Sequence, residues 1–232
     1  MSGVVASCAA IARVQPFTLT LSSYYFAPNI RNLAIAAGWN ASAPLIVSIT
    51  ATTGGAINVP SAASASFPGG LTLQIAAGAR VLGAQVGPGS SRGGTAIKVA
   101  QAITIDNLGS IIGGGGPGGY GGNATAGGQT ASGGAGGSGA GVSAGGYASW
   151  TSGTAGQTKT DTGFPPAWEI KGGTGGRGGV EGAQGEAGSS GVIISGTGTA
   201  YPGNAGMPAG YAVEGNSYIT WINTGTRAGG VV

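Results

Sequence analysis

Alternating apolar and polar positions mark short strands along much of the chain. Phe17–Leu21 (FTLTL) alternates at a period of two, and Leu45–Ile49 is an apolar, β-branched run bounded by Pro44 and by Gly54 and Gly55. Leu71, Leu73 and Ile75 point to one face of a further strand, as do Ile97 with Val99 and then Ile103 with Ile105. Val192–Ile194 and Tyr218–Ile222 supply later strands. Leu33–Ala37 fits either a strand or a turn of helix, and Gly38 directly after it favours strand or turn. The pattern predicts a chain that is mainly β and irregular, with almost no α-helix.

A weak internal repeat runs through these strands. Residues 103–114 (ITIDNLGSIIGG) compare with residues 219–230 (ITWINTGTRAGG), and residues 71–78 (LTLQIAAG) are a looser third copy. Each copy is a strand, a turn and a glycine suited to positive φ. Such repeats suit a stacked or hairpin-built β layer.

A second period is superposed on the first. Glycine recurs at every third residue from Gly173 through Gly176, Gly179, Gly182, Gly185 and Gly188 to Gly191. Partial runs occur at Gly113, Gly116, Gly119 and Gly122, and at Gly133, Gly136 and Gly139. Three residues per turn is the period of a polyproline-II-like chain, which has no internal hydrogen bonds. Its glycine edge admits a neighbouring backbone, so several runs can satisfy one another's polar groups by packing side by side. A collagen triple helix is the first rival, but the 173–191 run has no proline at its other positions. Glycine-rich disorder is the second. The favoured arrangement is a β-rich N-terminal part joined to a polyglycine-II sandwich.

Composition supports thin layers over a thick core. Of 232 residues 53 are glycine and only 6% are charged, yet 41% are hydrophobic, so the chain is no disordered polyelectrolyte. The net charge of +3 is spread singly along the chain, with no basic run for tracking phosphates, so nucleic acid is not an expected partner. Cys8 is the single cysteine and histidine is absent, which excludes an internal disulfide and a Cys/His metal site. No apolar stretch is long enough to insert in a membrane. Met1–Ile11 is apolar but lacks a basic n-region and is followed by Arg13, so it does not read as a signal peptide.

Catalytic chemistry is sparse, and neither a cofactor nor a metal is expected. Asp161 and Glu169 are the one conceivable glycosidase pair, and they read more simply as solvated loop charges. Gly-x-Ser-x-Gly and the phosphate-loop pattern are both missing. The aromatic residues of the glycine-rich half carry more promise. Tyr147, Trp150, Phe164, Trp168, Tyr201 and Tyr211 lie on segments flanked by glycine and proline, where no thick core exists to receive them. Rings so placed either bind a partner or cover the ends of the glycine stack, with Trp150 and Trp168 the leading candidates for contact. Trp39 and Trp221 lie in strand-like segments and read as packing residues.

Residues 109–119 (GSIIGGGGPGG), following a β pair, resemble a motif of phage tail proteins in which a turn and a hydrophobic pair lead into a glycine tract. Residues 219–229 are similar to a closing motif of the same proteins, and the triplet run resembles the polyglycine-II sandwiches of receptor-recognising adhesins at phage fibre tips. The likeness spans roughly residues 60–232. It implies a non-enzymatic component of the virion tail fibre or tail tip that contacts a host outer-membrane protein or surface glycan through loops, alongside other phage tail proteins. Three parts are then expected: 1–60 for attachment or for packing in a homotrimer, 61–112 as a short-strand β layer, and 113–232 as a glycine-rich distal domain with aromatic loops. The alternatives are a structural tail component without a receptor, an ice-binding polyglycine-II protein and a tail depolymerase.

Overall fold

The computed structural model describes residues 14–163 and 167–232. Its first strands are β1 (Phe17–Leu21), β2 (Tyr25–Phe26), β3 (Leu45–Ile49), β4 (Thr53–Gly54), β5 (Ile57–Val59), β6 (Leu71–Ile75), β7 (Arg80–Leu82), β8 (Ile97–Val99), β9 (Ile103–Asn107) and β10 (Ser110–Ile112), with helix α1 (Ile30–Ala36) between β2 and β3. Short hairpin strands follow: β11 (Ala124–Ala126), β12 (Gln129–Ala131), β13 (Gly141–Ser143), β14 (Gly146–Ala148), β15 (Thr158–Asp161), β16 (Trp168–Lys171), β17 (Val192–Ser195) and β18 (Thr199–Ala200). The chain ends with β19 (Tyr211–Glu214), β20 (Ile219–Asn223), β21 (Thr226–Ala228) and β22 (Gly230–Val231).

Three parallel sheets, ordered β1-β3-β6-β9-β20, β2-β4-β7-β10-β21 and β22-β19-β8-β5, take successive strands in rotation. Each circuit of chain therefore lies on the one before, as a three-faced parallel solenoid. In-register pairing stacks like on like: Leu19, Val47, Leu73 and Ile105 form one ladder. Leu21, Ile49 and Ile75 form the next, which ends on the buried Asn107. Each fully buried aliphatic side chain in these ladders stabilises by roughly 1.5–3 kcal/mol. Asn107 is satisfied there by donating to the Thr224 carbonyl at 2.7 Å and accepting from the Gly109 N–H at 3.1 Å.

The repeat seen in the sequence is the stacking itself, because Ile219–Trp221 pairs in register with Ile103–Ile105 and Thr226–Ala228 with Ser110–Ile112. Strand pairing also crosses the boundary expected at residue 60, where β3 bonds to β6 and β5 to β8. The end of the expected distal part, β19 to β22, joins the solenoid as well. Residues 14–112 and 211–232 thus form one body, and 113–210 is inserted in the circuit that β9 and β10 begin and β19 completes. Parallel partners lie far apart along the chain, so linear pattern alone does not reveal this division.

Leu33–Ala36 lies in α1 and Ala37 is its C-cap, against the expectation of strand or turn. Asn29 caps its start by accepting from the Asn32 N–H at 3.0 Å. Gly38, at φ +103, closes it: the Gly38 N–H donates to Ile35 and the Trp39 N–H to Ala34, both at 2.9 Å. That pair of bonds is a Schellman motif, so the glycine marks a helix end. Trp39 is then buried, donating to the Ala43 carbonyl at 2.9 Å and stacking on Phe67, which fits its reading as a packing residue.

The insertion is built from six extended threads, at about 113–123, 132–140, 151–157, 172–180, 183–191 and 201–208, that are neither helix nor strand. Their hydrogen bonds recur at every third residue. Gly115, Gly118 and Gly121 donate to Ala140, Gly137 and Gly134, while Gly116, Gly119 and Gly122 donate to Ala183, Glu186 and Ser189. Gly173, Gly176 and Gly179 donate in turn to Gly122, Gly119 and Gly116. The full set of bonds is met by two staggered rows, one of the third, fourth and fifth threads, the other of the second, first and sixth. The first and fourth threads sit mid-row with four bonded neighbours each, and both have two glycines in every triplet. Added Cβ atoms at Gly116 and Gly118 would overlap the carbonyl oxygens of Met207 and Gly176. The third, fifth and sixth threads keep one glycine per triplet, and hydroxyls of the third fasten the two rows: Thr151 and Thr154 accept from the N–H groups of Ser138 and Ala135 at 2.8 Å.

Candidate binding surface

Neighbouring threads in sequence run antiparallel. The first, third and fifth leave the solenoid and the other three return. Three connections therefore gather at the far end, their described residues being 124–131, 158–163 with 167–171, and 192–200. The near end holds residues 141–150, 181–182 and 209–210, beside the solenoid.

At the far end the connections fold into two small antiparallel sheets, β12-β11-β18 and β15-β16-β17. Ala124, Ala126, Ala131 and Ile170 are buried between them, with Trp168 and Ile193 packed against this cluster. Trp168 is held from two sides: a Cβ on Gly127 would overlap its indole nitrogen, and one on Gly196 would lie 2.8 Å from its own Cβ. Both glycines have positive φ, +54 and +79. Val192, Ile194 and Tyr201 project at the same end, each about half exposed, at 49%, 49% and 48%. Phe164 lies outside the described residues.

A hollow of about 450 Å³ opens between the β11–β12 and β15–β16 hairpins, lined by Gly127, Gln129, Lys159, Thr160, Asp161 and Trp168. Lys159 pairs with Ile170 and Asp161 with Trp168 across the second hairpin. Side chains alternate along a strand, so Lys159, Asp161 and Trp168 share one face. Glu169, opposite Thr160, takes the other face, so the two carboxylates do not converge as a glycosidase pair would require. Asp161 accepts from the Gly163 N–H at 2.9 Å, which shapes the hairpin tip.

The other three aromatic candidates are at the near end or in the solenoid. Tyr147 is on β14, where burial and then the Glu181 carboxylate push its phenol up from its ordinary value. Glu181 also pairs with Arg80 of β7 at 3.1 Å, and Tyr24 donates to the Ser143 carbonyl, so this end is fastened to the solenoid. Trp150 lies under the Arg177 guanidinium, 4.7 Å from the ring centroid, and Arg177 pairs with Glu186 of the fifth thread. Tyr211 is on β19, with Arg92 at 4.1 Å over its ring. The structure thus brings Trp168 and Tyr201 to one end and sets Tyr147, Trp150 and Tyr211 apart from them. Sequence reasoning left out Lys159, Gln129, Val192 and Ile194; counting threads from the solenoid and taking the odd-to-even connections would have found them.

Among the described residues no group of three His, Cys, Asp or Glu could hold a metal ion, and no helix is long and apolar enough to cross a membrane.

A family model described as phage tail fibre adhesin Gp38 matches residues 16–232. Among solved structures the chain is similar to one in the crystal structure of the gp37-gp38 adhesin tip complex of the bacteriophage S16 long tail fiber, with a TM-score of 0.53 and 23% identity, over 93% of this chain and 82% of that one. A search of the curated proteins gave no significant match.

Proposed function

The chain belongs to the phage tail fibre adhesin Gp38 family, and from that premise we propose that it recognises a host-surface receptor through the three connections at the far end of its glycine sandwich. It is a tail fibre component of the virion. The observation that carries the reading is the gathering of those connections on one end, with Trp168, Tyr201, Val192 and Ile194 presented there and the threads below locked by backbone bonds. Half-exposed rings and aliphatic side chains on a rigid base give contact area with little ordering entropy lost on binding. We read the threads as polyglycine II, which explains why glycine rather than apolar volume holds them together.

Attachment belongs to the solenoid. Its last circuit, β20 to β22, ends all three sheets with unpaired strand edges and exposes Tyr218, Ile222 and Val232. Open edges of this kind need cover, and a second tail fibre protein supplies it. The structurally similar chain comes from a complex of two tail fibre proteins, which supports such a pairing. Repetition of the adhesin on a symmetric fibre, a homotrimer included, would add avidity.

The test is adsorption of virions carrying Tyr201→Ala together with Ile194→Asp. Both positions are exposed, so folding should be unchanged by circular dichroism, and adsorption should fall at least about tenfold. Unchanged adsorption would move the receptor contact elsewhere.

A further inference from the structure

The hollow between the two far-end hairpins differs in chemistry from the apolar positions around it. Its wall is the Trp168 indole, wedged against Gly127 and fixed from behind by the Ala124–Ile170 cluster. Around that ring stand Lys159, Asp161, Gln129 and the Thr160 backbone segment. Trp39 and Trp221 each donate their indole N–H to a protein acceptor, at 2.9 Å in both cases. Among the described residues Trp168 has no such acceptor. Lys159 likewise has no carboxylate within ion-pair distance, and the Gln129 amide makes no side-chain hydrogen bond. Asp161 uses one oxygen for the Gly163 N–H and keeps its remaining acceptor capacity.

One flat apolar face ringed by unspent donors and acceptors of both kinds matches a particular ligand. A pyranose has a face of C–H groups that lies on an aromatic ring, and its rim is hydroxyls that both donate and accept. Lys159 and the indole N–H donate, Asp161 accepts, and Gln129 does both. The opposite charges of Lys159 and Asp161 leave the hollow with no net charge, which suits neutral sugar rings. Its volume of about 450 Å³ holds one or two rings. A polypeptide would instead favour the aliphatic positions Val192 and Ile194, which do not line this space.

We infer that this hollow is a glycan subsite, taking a neutral sugar of the host's surface polysaccharide. The inference rests on the receptor reading above and gives the chemical class for one part of the surface.

The probe is polysaccharide freed from lipid by mild acid hydrolysis of the lipopolysaccharide of a strain to which the phage adsorbs, titrated calorimetrically into the whole protein. Saturable binding is expected, weakened at least about tenfold by Asp161→Asn and by Gln129→Ala. Asp161→Asn keeps the oxygen that accepts from Gly163, and Gln129 is exposed, so neither change removes a packing group. Trp168→Ala should abolish binding; because Trp168 also packs on the small core, Trp168→Phe serves as the folding control and should retain part of the affinity. Leu108→Ser, on the exposed surface of the solenoid, should leave polysaccharide binding within about twofold of the unaltered protein.

No binding of the polysaccharide, or equal binding by Asp161→Asn, Gln129→Ala and the unaltered protein, would overturn the subsite. Adsorption supported by receptor protein in polysaccharide-free vesicles, and unaffected by Asp161→Asn, would also overturn it in favour of a polypeptide ligand, while the receptor reading would stand. Adsorption indifferent to the Tyr201 and Ile194 changes would sink that broader reading, whatever the calorimetry gives.

Discussion

The solenoid and the glycine sandwich solve the same problem with opposite materials. Both satisfy their backbones by hydrogen bonds to chain that is distant in sequence. The solenoid fills the space inside its circuits with aliphatic ladders such as Leu19, Val47, Leu73 and Ile105. The sandwich has no such space: carbonyl oxygens of one thread occupy the place where a Cβ of the next would be. Stability in the first grows with buried side-chain volume, and in the second it depends on the absence of side chains. The same substitution should therefore have contrary effects in the two halves.

The strongest break should come from adding volume to the sandwich. Gly176→Val puts a branched side chain into the Glu186 carbonyl and should cost more than about 4 kcal/mol. Calorimetry should show a fall in Tm of about 10 °C or more, with the 113–210 region becoming sensitive to protease. Removing volume from the solenoid should come next. Leu73→Ala in the fully buried ladder should cost about 2–5 kcal/mol in denaturant unfolding. A smaller loss, about 1–3 kcal/mol, is expected for Asn107→Ala, which leaves the Thr224 carbonyl and the Gly109 N–H without their side-chain partner.

The least effect concerns the junction between the halves. Tyr147 holds its proton more tightly when folded, first because it is partly buried and then because Glu181 is near. Its contribution is fully present below pH about 10 and is lost as pH rises through the raised folded value. Tyr147→Phe should flatten the decline of Tm with pH above about 10, a difference readable by thermal scans in alkaline buffers.

What could be seen in the sequence follows from where the physics is local. Strand alternation at Leu71–Ile75 is a two-residue property, and the triplet glycines are a three-residue one, so both were visible. Doubled glycines mark the first, second and fourth threads, which bond to three or four neighbours, but the fifth has three neighbours with one glycine per triplet, so the row order is not written in the glycines alone. The repeat at 103 and 219 was the trace of one circuit lying on another, and its meaning needed the parallel register. Gly38 misled because a glycine after an apolar run ends helices as readily as strands. The aromatic residues were sorted least well. Trp150 and Trp168 look alike in sequence, yet one begins an outgoing thread beside the solenoid and the other begins beyond the end of it. Direction depends on how many threads precede a residue, which no local window contains.

The insertion leaves and re-enters the solenoid at one spot. The Gly210 N–H donates to the Gly114 carbonyl at 2.8 Å, and the Gly113 N–H to Ala228 at 2.9 Å, so both ends of the glycine-rich region are seated on the same ledge. A segment anchored in that way is a cassette. Exchange between relatives with crossovers near residues 113 and 210 would carry over an entire recognition head while the mount keeps its own joints, and host preference could then change in a single recombination without renegotiating the fit to the virus.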